Sequence, residues 1–172
     1  MIPVSTLLGR AVVDEGGQAV AIITNVYVDR DRGKLLALVT RAAGFWPHKS
    51  SFIKAEDISE LAEEMAKVRL GYRLFTRQEI DLPRKWKLLG KSAVSAAGVP
   101  LGWISDLDLD ENGLQVVRFH IQLAPVKYLR SVLPKRILPW QRVVRITDSA
   151  AIFDVDPALP LAQPAISTVS AE

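Results

Sequence analysis

The chain has 172 residues, 49% of them apolar and 24% charged, with a formal net charge of +3. That balance belongs to a folded protein with a packed core and excludes the polar, weakly hydrophobic class of disordered chains. The lack of cysteine excludes disulfides, thiol nucleophiles and cysteine-held metal sites, and no run approaches the ~18 apolar residues of a helical membrane span.

A cytoplasmic protein, peripheral to a larger complex, is therefore the expectation. The charge is unevenly placed. Residues 1–82 carry eleven Lys/Arg against eleven Asp/Glu, and residues 83–172 carry eleven against eight. No acid occurs from Asn112 to Thr147, a stretch that holds Arg118, Lys127, Arg130, Lys135, Arg136, Arg142 and Arg145. An acidic partner fits such a segment.

In chain order, Leu7-Leu8-Gly9-Arg10 opens a stretch in which Val26 and Val28 alternate with Asn25, Tyr27 and Asp29, the period-2 pattern of a half-buried strand. A polar run ending at Gly33 predicts a turn, and Leu35 to Thr40 predicts the returning strand. Between Ile58 and Met65 the apolar spacing suits a helix, with Glu60, Glu63 and Glu64 on the far side. The second half of the chain argues otherwise. There, Val143 to Ile146, Thr147-Asp148-Ser149 and Ala151 to Val155 read as strand, turn, strand, so the earlier segment is assigned the same form, ending near Leu70.

That comparison rests on an internal repeat. Leu7-Leu8-Gly9-Arg10 returns as Leu88-Leu89-Gly90-Lys91, an offset of 81, and Ile23-Thr24-Asn25-Val26 as Ile104-Ser105-Asp106-Leu107. Farther along, Ile53 to Leu61 aligns with Leu138 to Ile146 at an offset of 85, so a loop before this segment is longer in the second copy. Residues 1–72 and 87–156 are read as two domains and 73–86 as a linker. Phe75, Ile80 and Trp86 mark that linker as packed rather than free. Residues 157–172, with Pro157, Pro160 and Pro164 among small residues, are read as a disordered tail.

The order Leu-Leu-Gly, extended strand, acid-Gly turn, apolar strand and final strand pair resembles the PRC-barrel family, over residues 5–70 and 86–155. Arg136-Ile137-Leu138-Pro139-Trp140 is similar to the family's step into its penultimate strand, whereas the first copy has Ile53-Lys54-Ala55 at that place. The resemblance implies an all-β protein of two small antiparallel barrels in tandem, with short helical or loop insertions. It also implies a role in protein contact, and it supplies no catalytic residues. Fold alone does not settle function.

Several motifs bear on chemistry. Asp108-Leu109-Asp110-Glu111-Asn112-Gly113 opens like a calcium loop, but Phe119 stands where the bidentate Glu is required, so it is read as a solvated hairpin with outward acids. His48 and His120 lack partners at ligand spacing and are read as surface residues; no metal, cofactor or catalytic residue is assigned. Two loops are candidates for protein contact, one through Phe45 and Trp46, the other through Tyr128 and Leu129. The same aromatics could instead plug the barrel ends. Lys127, Arg130, Lys135 and Arg136, with Arg84-Lys85-Trp86-Lys87 nearby, are candidates for an acidic partner or RNA. The expected function is a non-catalytic adaptor. The alternatives are a ribosome- or RNA-associated factor and an accessory module of a membrane protein complex, and a homo-oligomer is compatible with each.

Overall fold

A computed structural model of the chain describes residues 1–42, 50–80, 87–110, 114–123 and 135–157. The first half contains β1 (Ile2–Pro3), one helical turn α1 (Val4–Leu7), β2 (Ala11–Val13), β3 (Ala19–Val28), β4 (Leu35–Ala42), β5 (Ser50–Lys54), β6 (Ile58–Leu61) and β7 (Met65–Val68). The second contains β8 (Ser92–Ser95), β9 (Pro100–Asp110), β10 (Gln115–Gln122), β11 (Lys135–Pro139), β12 (Val143–Ile146) and β13 (Ala150–Phe153). Short 3-10 turns at Ala55–Asp57 and Trp140–Arg142 link β5 to β6 and β11 to β12. The apparent helix at 58–65 is indeed strand and turn: its glutamates lie in β6 and the turn after it, and Ile58, Leu61, Ala66 and Val68 enter the core.

The expected closed, wholly antiparallel barrels do not form. The first sheet runs β5-β4-β3-β2-β7-β6 and the second β11-β10-β9-β8-β13-β12, each ending in strands that do not pair with one another. In both, a 3-10 turn carries the chain from one edge strand straight to the opposite one, so no ladder joins them. The β2·β7 and β8·β13 pairs are parallel. The fold is all-β, but its sheets are open.

The two sheets share their strand order and much of their hydrogen bonding. Gly9 N donates to Ile23 O and Gly90 N to Ile104 O, both at 2.8 Å. Thr24 Oγ1 bonds Val39 O at 3.1 Å, and Ser105 Oγ bonds His120 O at 3.0 Å. Asn25 and Asp106 each accept from the next residue's N–H. One apolar core joins both sheets, with Ile23, Leu38 and Ile53 on one side and Ile104, Leu107 and Phe119 on the other.

Two further devices tie the halves together. β1 leaves the first half to pair with β9, Ile2 opposite Leu109, and it buries Ile2, Val4 and Leu7. Ser5 N donates to Asp106 Oδ1 at 2.9 Å, and the Ser5 hydroxyl donates to the other oxygen of that carboxyl. The hairpin after β3 meets the hairpin after β9: Leu35 N donates to Leu114 O and Val116 N to Gly33 O, both at 2.7 Å. Gly33 (φ +68°) is required there, because a Cβ would lie 2.7 Å from the Trp140 ring.

Candidate functional site

Corresponding strands place corresponding residues on one grid. On the outer face of the first sheet the rows across β3, β4 and β5 are Ile22/Arg41/Ser50, Asn25/Val39/Phe52 and Tyr27/Ala37/Lys54. On the second sheet the rows across β9, β10 and β11 are Trp103/Gln122/Lys135, Asp106/His120/Ile137 and Asp108/Arg118/Pro139. The grid is common to both, but the chemistry differs.

In the first sheet the face is apolar and occupied. Ala37, Val39 and Phe52 form a small core of their own with Ile80, against which Tyr27 and Phe75 pack. Phe52 and Phe75 exchange backbone hydrogen bonds of 2.8 Å in both directions, so residues 72–80 act as a strap on the β5 edge. The strap is shaped by Glu79, which accepts from Thr76 N at 2.8 Å and from the Thr76 hydroxyl at 2.9 Å. The described part of the linker, residues 73–80, is therefore packed, as Phe75 and Ile80 predict.

In the second sheet the same face is polar. Asp108 stands at the place of Tyr27 and is 1% exposed. Arg118, directly across on β10, donates to Asp108 Oδ2, and His120 Nε2 lies 3.0 Å from that oxygen, close enough for ion pairing but off the hydrogen-bond axis. Burial pushes the Asp108 carboxyl up, yet the Arg118 hydrogen bond, the His120 contact and their charges outweigh it and hold it below the usual carboxylate range. Beside this cluster Trp103 is 41% exposed and Ile137 46%.

The sequence assigned Asp108 to a solvated hairpin and His120 to an ordinary surface, and the structure revises both. Alternation puts Asp108 opposite the core-facing Leu107 and Leu109, which is right, but cross-strand pairing with Arg118 then shields it from water. Aligning the two copies residue by residue was the available signal: Tyr27 and Ala37 of one become Asp108 and Arg118 of the other. Lys135 and Arg136 stand side by side in β11, and the period of 2 sends them to opposite faces. Lys135 is exposed opposite Gln122, whereas Arg136 is half-buried opposite Ile121 and donates to Pro157 O at 3.5 Å. Phe45, Trp46, His48, Arg84, Lys85, Trp86, Lys127, Tyr128, Leu129 and Arg130 lie outside the described residues, as do residues 158–172.

The Asp108 carboxylate contributes stability only while ionised. An unfolded aspartate titrates near 3.9, and the folded value is lower. The contribution is complete above the unfolded value and is lost as pH falls through the folded one. Asp108→Asn should cost about 1–3 kcal/mol near pH 6, less than a fully buried pair because Arg118 keeps water contact. Urea unfolding midpoints from pH 6 to pH 2 should show that gap closing in acid; a constant gap would contradict the assignment.

No group of three or more His, Asp or Glu able to hold a metal occurs among the described residues. No described helix is long and apolar enough to cross a membrane. Residues 1–64 match the PRC-barrel domain family. No curated protein matches the chain. The PRC-barrel match ends within the turn before β7, so it takes in β1 to β6. The second sheet repeats the strand order of the region that the PRC-barrel match begins.

Proposed function

We propose that the chain is a non-catalytic adaptor, two PRC-type units (residues 1–72 and 87–156) joined by the 73–86 segment and followed by a 157–172 tail. One observation carries the reading: the strap covers the outer face of the first sheet, while Trp103 and Ile137 on the equivalent face of the second remain open to solvent. Exposed aromatic and aliphatic side chains beside a charged rim are the usual makings of a protein contact. Duplicated units that share one core support descent from tandem copies. Asp108 Oδ2 is held by Arg118, with His120 Nε2 3.0 Å from the same oxygen, an arrangement that supports a structural role over a catalytic one.

The test is affinity capture from lysate of the native host, with and without nuclease. The wild type is compared with Trp103→Ala/Ile137→Ala and with a variant carrying Glu at Lys127, Arg130, Lys135 and Arg136. Partners that survive nuclease and are lost from the Trp103/Ile137 variant support the adaptor. Loss of every partner with nuclease would replace it with an RNA- or ribosome-associated factor.

A further inference from the structure

The first sheet shows what its β5 edge binds: an extended segment, paired through Phe52 by both backbone groups. The second sheet ends in the corresponding edge, β11, and among the described residues no strand pairs with β11 beyond β10. Ile137 takes the place of Phe52, both lying opposite the central residue of the neighbouring strand's row. Pro139 corroborates the direction of the backbone. Proline has no N–H to give a ladder and is tolerated where that position faces outward, and Ile137, two residues earlier, faces the same way. A donor and an acceptor thus flank an exposed aliphatic side chain on a sheet edge, the arrangement that accepts an added strand.

The two edges differ in charge. Ser50 of the first corresponds to Lys135 of the second, and Arg118 on the adjacent strand is 37% exposed. No acid lies anywhere from Asn112 to Thr147. The strap of the first sheet is itself basic, with Arg73 and Arg77 set over the rings of Phe75, Tyr27 and Phe52. Those ring partners are absent from the second grid, where Asp108 and Ile137 take the places of Tyr27 and Phe52. A basic strap would lose its aromatic seats and meet Lys135 instead.

We propose that the β11 edge binds an extended acidic peptide by strand addition at Ile137, with an aromatic or large aliphatic side chain seated beside Ile137 and acidic side chains toward Lys135 and Arg118. This rests on the adaptor reading and names the partner's chemistry. In the first unit the chain fills the edge with its own strap; in the second the edge receives another molecule.

The probe is a fluorescein-labelled nonapeptide with the sequence of residues 72–80 and glutamate at both arginine positions, titrated with the full chain and read by fluorescence anisotropy. The unaltered 72–80 peptide is the control. The acidic peptide should bind at least tenfold tighter than the control at low salt. Ile137→Pro, which removes the outward N–H together with the isoleucine side chain, should weaken it tenfold or more. Lys135→Glu, a surface change that leaves the backbone intact, should reverse the preference between the two peptides. Equal binding of both peptides, or binding indifferent to both substitutions, would overturn the proposal. So would concentration-dependent dimerisation abolished by Ile137→Pro, which would give the edge to a second copy, or binding seen only after removal of 158–172, which would give it to the tail. If lysate partners are still captured while the peptide fails, strand addition falls and the adaptor stands; if Trp103/Ile137-dependent capture also fails, both fall.

Discussion

Gly102→Ala is expected to leave little folded protein under conditions where the wild type is stable. Gly102 has φ +129°, a region that side-chain-bearing residues rarely adopt, and a Cβ there would lie 2.1 Å from Gln122 O and 3.2 Å from Leu123 Cα. The obstacle is backbone, so no rotamer change relieves it. Backbone strain alone costs about 1–3 kcal/mol at such a position. With the steric overlap added, the loss should be about 3 kcal/mol or more, enough to unfold a marginally stable domain. The repeat makes this prediction sharp, because the corresponding residue of the first half is Ala21, fully buried in the same β-bulge. Alignment of the two copies would therefore rate alanine as harmless at position 102. Soluble yield and near-ultraviolet circular dichroism would settle the matter, and a folded variant with wild-type stability would refute the close approach of β9 to the end of β10.

The second large effect is expected at Phe119. This side chain is fully buried, stacks on Trp140 with ring centroids 5.7 Å apart and meets Phe153 edge-on at 5.2 Å. Phe119→Ala should cost about 3–5 kcal/mol through lost burial and the cavity left behind. In a chain of this length that lowers the melting temperature on the order of 10 °C. Phe119→Leu is the informative companion, because Leu38 holds the corresponding place in the first sheet. Leucine should cost about 1.5 kcal/mol or less if the surroundings repack. Equal losses for the two variants in urea unfolding would show that the aromatic cluster, rather than filled volume, holds this end of the core.

Much of the architecture was legible in the sequence because period-2 alternation and the offset of 81 both report backbone geometry. The alternation of Val26 and Val28, the turn at Gly33 and the strand from Leu35 all reappear, and the repeat resolved the segment after Ile58 against its helical spacing. Closure was not legible. Whether edge strands meet depends on how the chain leaves β5 and β11, and a three-residue 3-10 turn is invisible in a pattern of apolar residues. The candidate site was hidden for a related reason. Asp108 and His120 look solvent-facing from alternation alone, and only the cross-strand register brings Arg118 and His120 onto one carboxylate. Lys135 and Arg136 read as one basic unit along the sequence, although a strand divides them between two faces.

The pairing of β1 with β9 governs how the protein is made. Ile2 pairs with Leu109, and Ser5 bonds Asp106, 101 positions farther along, so β1 and α1 find these partners only after most of β9 has been synthesised. Until then Ile2, Val4 and Leu7 have no β9 surface on which to be buried, and the nascent first half presents an unfinished core. Contacts this distant in sequence slow folding and lengthen the exposure of apolar surface. The finished protein gains a single cooperative body from this wiring, while the growing chain depends on its second half to complete its first.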